Sequence, residues 1–298
     1  MATDAAFTLQ DLRTGSFAQT PLAVLGHPIA HSLSPKMQNG ALARLAENDS
    51  RFRLWRYEKF DIPPDELPAA LQALADRGFR GVNLTVPHKV LAFQHGTQID
   101  AAARPAGAVN TLLRVPTGWK GFNTDGFGLA MGVRESLGCE LAERPIVLLG
   151  AGGAARGAAV ECLARGCASL SIGNRTAENR ESLLALLRPL AGKIPVRGFD
   201  PAVEFDLEAD ALVINATSVG LKPDEAPPID LGRIPRPAGV YDMIYNPPRT
   251  ALLRAADALG IPASNGLTML VHQGAKALEI WSGVSAAVTA PLMEAALR

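Results

Sequence analysis

Three features of this sequence predict an α/β fold with largely parallel sheets. Short β-rich runs alternate with Ala- and Leu-rich helical patterns along most of the chain. A glycine-rich turn near the middle joins an apolar strand to a helix. The 298 residues exceed a usual domain of about 100 to 150, so two domains, or one large doubly wound one, can be accommodated.

The elements follow in order. LAVLG (22 to 26) precedes a helical PKMQNGALARLA, FRLWRYE (52 to 58) precedes ELPAALQALADRG, and GVNLTV (81 to 86) precedes PHKVLAFQHG. VNTLLR, the turn Pro116-Thr117-Gly118 and WKGFN read as a hairpin at the antiparallel margin of that sheet. From Asp125 a helix, FGLAMGVRESLG, leads to the polar stretch CELAERP, where a domain boundary fits. The alternation then resumes through IVLLG, AARGAAVECLARG, SLSIG, ENRESLLALLRPLA, ALVINAT, GVYDMIY and TALLRAADALG. Two helices close the chain. Residues 1 to about 18 lack clear periodicity and read as a loosely attached tail.

Composition narrows the function. Hydrophobic residues make up 48% and charged residues 19%, a globular balance that excludes disorder. Lys plus Arg number 29 and so do Asp plus Glu, and no basic stripe appears, which argues against a nucleic-acid partner. Cys139, Cys162 and Cys167 cannot all pair and show no CxxC spacing, so buried free thiols are expected. Asp4 and Asp11 interrupt what a signal peptide would need, and no apolar run reaches about 18 residues. A soluble cytoplasmic protein is the expectation. His27, His31, His88, His95 and His272 show no metal-ligand spacing, and no metal is implied.

Gly150-Ala151-Gly152-Gly153-Ala154-Ala155 matches G-x-G-x-x-G/A between a strand and a helix, the context a dinucleotide-binding Rossmann turn requires. Gly150 permits the tight turn, Gly152 lets backbone approach a pyrophosphate, and Ala155 lets helix and strand pack closely. The helix N-terminus offers free N–H groups to the phosphates. About 20 residues on, where an NAD site would place Asp or Glu, the chain reads Asn174-Arg175-Thr176. An Arg there suits a 2′-phosphate, although a solvated turn arginine would look the same.

The first half has no such turn, but its polar residues cluster at predicted strand ends. Ser34 before Pro35 makes a good helix N-cap, which alone would explain it, whereas Ser32 lies outside that role. Two hydroxyls at a helix mouth can also bind a carboxylate. In GVNLTVPHK, Asn83 and Thr85 share one face of a strand. Lys89 falls in the first turn of the next helix, where the dipole opposes a cation, a placement that suits an acid/base lysine better than an idle one. Asn110 and Asp125 complete the set, Asp125 being equally explicable as a helix cap.

GHPIAHSLSPKMQNGAL, GVNLTVPHK, GAVNTL, GFNTDGFG, LLGAGGAARGA, NRT, NATSVG, YDMIYNP and NGLTMLVHQGA together resemble the shikimate dehydrogenase family, in order, over residues 22 to about 282. The resemblance implies NADPH-dependent reduction of 3-dehydroshikimate to shikimate in aromatic biosynthesis. It also implies an N-terminal α/β substrate domain (1–124), a Rossmann NADP(H) domain (125–264), a cleft between them, and C-terminal helices (265–298) packing back on the first domain.

Carried over by position, the resemblance makes Lys89 and Asp125 the catalytic pair. Ser32 and Ser34 would hold the substrate carboxylate with Tyr245 and Thr85 nearby, while Asn83, Asn110, Asp125 and Gln273 would bind ring hydroxyls. Gly150, Gly152, Gly153 and Ala154 would face the pyrophosphate, and Asn174, Arg175 and Thr176 the adenosine phosphate. Thr217, Val219, Met243 and Gly266 would meet the nicotinamide end. A quinate/shikimate dehydrogenase using NAD is the alternative; NRT without a following acid favours NADP. A sensor binding the same metabolite without turnover would lose the acid/base residue, which Lys89 and Asp125 argue against. The expected partner is a small molecule, with no membrane, and the chain a monomer or homodimer.

Overall fold

The computed structural model describes residues 6–94, 98–203, 206–222 and 224–298. They form two compact units, Met1–Thr124 with Val271–Arg298, and Asp125–Leu270. His95 lies outside the described residues.

The first unit runs α1 (Leu9–Thr14), β1 (Thr20–Gly26), α2 (Ser34–Asn48), β2 (Trp55–Asp61), α3 (Leu67–Asp76), β3 (Gly81–Leu84), α4 (His88–Gln94), β4 (Gln98–Ile99), β5 (Thr111–Val115) and β6 (Gly118–Phe122). The sheet order is β2-β1-β3-β5-β6-β4. β1 pairs in parallel with β2 and β3, whereas β3–β5 and β5–β6 are antiparallel. The hairpin is therefore antiparallel as its sequence suggests, but it is not the margin: β4 pairs in parallel outside β6. The run expected at 52–58 starts later, because the Asp49 side chain accepts the Arg51 N–H and winds Ser50–Leu54 into a 3-10 turn. The strand expected at 81–86 ends at Leu84, and the chain turns through Thr85–Pro87 into α4.

Residues 6 to 18 are not a loose tail. Thr8 and Asp11 close a capping box in front of α1, leaving Leu12 fully buried. Phe7 hydrogen-bonds through its backbone to Lys59 and Asp61 alongside β2, and the Phe17 ring lies 5.3 Å from that of Phe79. Leu9, Leu12, Phe60, Leu71, Leu74 and Phe79 form one apolar layer with α3. On the other face Tyr57 lies 6.2 Å from Trp281, whose indole N–H donates to the Leu112 carbonyl at 2.9 Å. Trp281 stands on α9 (Leu267–Ser282), which begins in the second unit and continues into the first. α10 (Ala286–Leu297) then packs on α2, where a Cβ at Gly40 would stand 2.3 Å from the Ala296 methyl.

The second unit contains α5 (Asp125–Leu137), β7 (Pro145–Leu149), α6 (Gly153–Ala164), β8 (Ser169–Gly173), α7 (Ala177–Leu187), β9 (Val196–Phe199), β10 (Leu212–Asn215), β11 (Gly239–Asp242), α8 (Ala251–Ala258) and β12 (Ala263–Asn265). Its sheet is parallel throughout, in the order β12-β11-β10-β7-β8-β9. That is the doubly wound Rossmann order, whose direction reverses between β7 and β10. β8, β10 and β11 are buried along their whole length, as parallel strands covered on both faces are. α5, α6 and α7 cover one face through Leu129, Ala155, Ala158, Cys162 and Leu183, and α8 covers the other through Leu252, Leu253 and Ala256.

Cys162 and Cys167 are buried and Cys139 half-buried, all as free thiols. No helix among the described residues is long and apolar enough to cross a membrane.

Candidate active site

In the first unit the polar residues singled out from the sequence converge on the sheet edge where β1 and β3 end and β5 begins. Asn83, on β3 opposite Thr111 of β5, is buried. Its Oδ1 accepts the Tyr57 hydroxyl at 2.7 Å, and its Nδ2 donates to the Asn110 carbonyl at 3.1 Å and to Thr111 Oγ1 at 3.0 Å. Asn110 is 2% exposed; its Oδ1 accepts the Thr124 N–H at 2.8 Å, and its Nδ2 reaches Thr124 Oγ1 at 2.9 Å and Gln273 Oε1 at 3.5 Å. A neutral network of amides and hydroxyls with fixed directions is suited to sorting the hydroxyls of a small molecule. Tyr57, Thr111 and Thr124 belong to it but escape sequence reading, because, apart from the contact of Thr111 with neighbouring Asn110, their partners lie 13 to 28 residues away.

At the mouth of α2 the structure corrects the capping expectation. Leu33 holds the N-cap, Ser34 opens the helix, and no side chain caps it from that position. Instead the Ser34 N–H donates to Ser32 Oγ at 3.3 Å, so the residue placed outside the capping role is the one that meets the helix amide. Ser34 is buried, and its hydroxyl is not explained as a cap.

The turn from Thr85 to Lys89 is closed on itself and held from β1 and from the segment before β5. Thr85 N–H donates to Leu25 O at 2.9 Å, His88 N–H to Thr85 O at 2.8 Å, and Val109 N–H to Lys89 O at 2.9 Å. Lys89 occupies the first turn of α4 and is half-buried. Beside it, His88 is fully buried with Nε2 2.8 Å from the Ile62 carbonyl, and His27 Nδ1 stands 2.6 Å from Asp61. These roles for His27 and His88 are structural. Among the described residues no cluster of His, Cys, Asp or Glu is arranged to hold a metal.

The second unit builds its own site at the switch point between β7 and β10. Gly150 takes φ +111°, which a side chain would strain, and a Cβ there would stand 2.9 Å from the Ala216 carbonyl. Gly152 is the N-cap of α6, with nothing within 4 Å of where its Cβ would be, and Gly153 and Ala154 follow it, half-exposed, in the first turn of the helix. Asn174, Arg175 and Thr176 follow β8; Asn174 Nδ2 donates to Thr176 O at 2.9 Å, while Arg175 and Thr176 are exposed. Thr217 and Val219 follow β10, their turn closed by Thr217 Oγ1 accepting the Val219 N–H at 3.0 Å. Met243 follows β11, and a Cβ at Gly266 would collide with the Met243 carbonyl at 2.1 Å, so only glycine lets the two segments cross. Tyr245 lies half-exposed just beyond Met243. Asp125 is the first residue of α5 and is buried; it belongs to the second unit and Lys89 to the first.

Under these loops lies Asp242, fully buried. Burial pushes its carboxyl up from the ordinary range, opposed by hydrogen bonds from Thr250, Ile244 and Asn215.

A parallel Rossmann sheet with a glycine turn at its switch point, accompanied by a second α/β unit with a buried amide and hydroxyl cluster, defines a dinucleotide-binding protein with a separate small-molecule unit. Residues 24–112 match the model of the shikimate dehydrogenase substrate binding domain, and residues 266–298 that of the shikimate 5'-dehydrogenase C-terminal domain. The shikimate dehydrogenase (NADP(+)) of Symbiobacterium thermophilum is 42% identical over 269 residues, 88% of each chain. Shikimate 5-dehydrogenase from Thermus thermophilus, solved in complex with NADP(H) and shikimate, is 35% identical with TM-score 0.77, covering 93% of this chain and 100% of that one. A ligand-free 5-ketofructose reductase from a Gluconobacter species is 33% identical with TM-score 0.76, covering 95% and 99%. The chain belongs to the shikimate dehydrogenase (NADP(+)) family of oxidoreductases.

Proposed function

We propose that this chain catalyses the reversible NADPH-dependent reduction of 3-dehydroshikimate to shikimate, a step of aromatic amino-acid biosynthesis. One observation carries the substrate half: Asn83, Asn110, Thr111 and Thr124 converge at one sheet edge, in the unit whose α2 mouth carries Ser32 and Ser34. Directed amides and hydroxyls suit ring hydroxyls, and two serines at a helix N-terminus suit a carboxylate. In this reading Ser32, Ser34, Thr85 and Tyr245 hold the carboxylate, and Asn83, Asn110, Gln273 and Asp125 the hydroxyls.

The residues of the second unit fit a dinucleotide phosphate. Gly152 leaves its backbone open to approach, and Gly150, Gly153 and Ala154 complete a turn feeding the N-terminus of a twelve-residue helix. Exposed Arg175, with Asn174 and Thr176, takes the 2′-phosphate, which makes the cofactor NADP rather than NAD. Thr217, Val219, Met243 and Gly266 take the nicotinamide end. When bound, NADPH supplies the hydride that the ketone carbon receives.

Lys89 gives its proton to the ketone oxygen as negative charge builds there, and recovers it from solvent; in the oxidative direction it accepts that proton. Asp125 orients a ring hydroxyl. The enzyme works in the cytoplasm on small molecules, as a monomer or homodimer.

Initial rates with shikimate and quinate, each with NADP and NAD, test the reading, with 5-ketofructose as a polyhydroxy ketone lacking a carboxylate. Shikimate with NADP is expected to give the highest kcat/KM. Higher values with quinate or NAD would move the chain to the quinate/shikimate dehydrogenases. Absence of shikimate oxidation with either cofactor would overturn the proposal.

A further inference from the structure

The adjacent ends of β10 and β11 are joined by a buried hydrogen-bond chain in which each side-chain proton has a destination. Asn215 and Asp242 are the last residues of the two strands, paired in register, and both are 0% exposed. Asp242 Oδ1 accepts from Asn215 Nδ2 at 2.9 Å and from the Ile244 N–H at 3.0 Å, and its Oδ2 accepts the Thr250 hydroxyl at 2.6 Å. The second proton of Asn215 Nδ2 goes to Val219 O at 3.2 Å. Asn215 Oδ1 accepts both the N–H of Thr217, at 3.0 Å, and its hydroxyl, at 2.7 Å. Thr250 Oγ1 also accepts the Leu253 N–H at 3.3 Å, which caps α8.

The chain runs from the cap of α8 through Asp242 and Asn215 to Thr217 and Val219. At that end it meets the glycine turn: Ala216 N–H donates to Leu149 O at 2.8 Å, and Thr217 Cγ2 would lie 3.2 Å from a Cβ at Gly150. It also reaches the β11 loop, where Met243 N–H donates to Asn215 O at 2.9 Å.

We propose that Asp242 is a positioning residue for the nicotinamide half of the dinucleotide, holding the Asn215 carboxamide so that Thr217 and Val219 keep a single arrangement. The inference rests on the proposed assignment of Thr217, Val219 and Met243 to that half. A carboxylate is the group that satisfies all three donors at once. Asp242 takes three hydrogen bonds; with an amide in its place, either the NH2 faces Thr250 and the Thr250 hydroxyl proton loses its acceptor, or the NH2 faces the donating N–H groups of Asn215 and Ile244. Freed from Asp242, Asn215 can rotate and exchange its amide ends, and Thr217 loses its acceptor.

The adenosine side of the site, at Arg175, follows β8 and is not part of this chain, so damage confined to the nicotinamide end separates positioning from general destabilisation. The experiment measures affinities for NADP and for adenosine 2′,5′-bisphosphate, which lacks the nicotinamide, in the unaltered protein and in Asp242→Asn, Thr250→Val and Thr250→Ser. Asp242→Asn and Thr250→Val are expected to weaken NADP about tenfold, the scale of one broken buried hydrogen bond, and to change the bisphosphate by less than about twofold. Thr250→Ser, which keeps the hydroxyl, restores the NADP value. Where Asp242→Asn does not fold, the Thr250 pair decides alone. Equal losses for both nucleotides, or no loss for either, would overturn the inference and leave the chain a purely structural brace. An unaltered protein that bound neither nucleotide would remove the functional reading, and the inference with it.

Discussion

His88 Nε2 lies 2.8 Å from the carbonyl oxygen of Ile62, and the whole residue is buried immediately before Lys89. A carbonyl oxygen can only accept, so the ring proton resides on Nε2 and Nδ1 is the bare nitrogen of a neutral imidazole. Nδ1 is buried without a hydrogen-bond partner, so a second proton there would be an unmet donor on a buried cation. Burial accordingly lowers the pKa from 6.5; the Ile62 hydrogen bond and Asp61 oppose this, while His27 adds to it.

The sign of the stability change follows. With the folded pKa below the unfolded one, the unfolded chain binds more protons between the two values. The stabilisation is complete above 6.5 and is lost as pH falls from there toward the lower folded value. Chemical denaturation at about pH 7.5 and about pH 5.5 is expected to show a larger loss in the unaltered protein than in His88→Gln, whose amide can still donate to Ile62 but does not titrate. Identical losses would remove His88 from the acid response.

Arg175→Ala is expected to weaken NADP by about tenfold or more while leaving NAD little changed, because a guanidinium bond to a phosphate is worth about 1.5 to 3 kcal/mol. The residue is exposed at the end of β8, where its truncation leaves no cavity. Titration with both cofactors checks this. Parallel losses for NADP and NAD would make the arginine structural.

The serine pair at α2 separates two roles. Because Ser32 Oγ meets the Ser34 amide and no side chain caps the helix from Leu33, alanine at Ser32 removes that hydrogen bond, whereas alanine at Ser34 removes no cap. The double variant Ser32→Ala, Ser34→Ala is expected to raise the shikimate KM with NADP affinity intact. A lower melting temperature with an unchanged KM would assign both hydroxyls to local structure.

What the sequence made legible follows from burial. β7, β10 and β11 are largely apolar runs, and SLSIG coincides with β8, which is buried end to end with Ser169 and Ser171 included. β4, β9 and β12 went unrecognised: they are edge strands of two to four residues, part-exposed, with no apolar run to announce them. The α1 segment did carry a signal. Thr8-x-x-Asp11 is a capping box in miniature, and Leu9 and Leu12 keep helical spacing. Local motifs exposed Asn83, Asn110 and the glycine turn, but Tyr57, Thr124, Asn215 and Asp242 acquire their roles only by long-range pairing. A residue whose partner lies 27 positions away, as Asn215 and Asp242 do, has no periodicity to betray it.

The chemical step is tested most directly at Lys89. Its main chain is held independently of its side chain, since its carbonyl accepts the Val109 N–H at 2.9 Å and the preceding imidazole is tied to Ile62. Lys89→Met keeps an unbranched apolar stem one atom shorter than lysine, so the fold and the turn are expected to survive. What disappears is the proposed proton donor for the ketone oxygen, and loss of a general acid or base lowers kcat by about 100- to 10,000-fold. KM for shikimate should change only modestly, because the hydrogen bonds that Asn83, Asn110, Thr111 and Thr124 make to one another do not need the lysine side chain. Asp125→Asn should behave differently, damaging kcat and the shikimate KM together, because the family resemblance places its carboxylate both in the catalytic pair and at a ring hydroxyl. Steady-state kinetics of the two variants, with circular dichroism to confirm the fold, make the comparison. A correctly folded Lys89→Met enzyme with near-normal kcat would remove the lysine from proton transfer and leave orientation and hydride donation as the whole of catalysis.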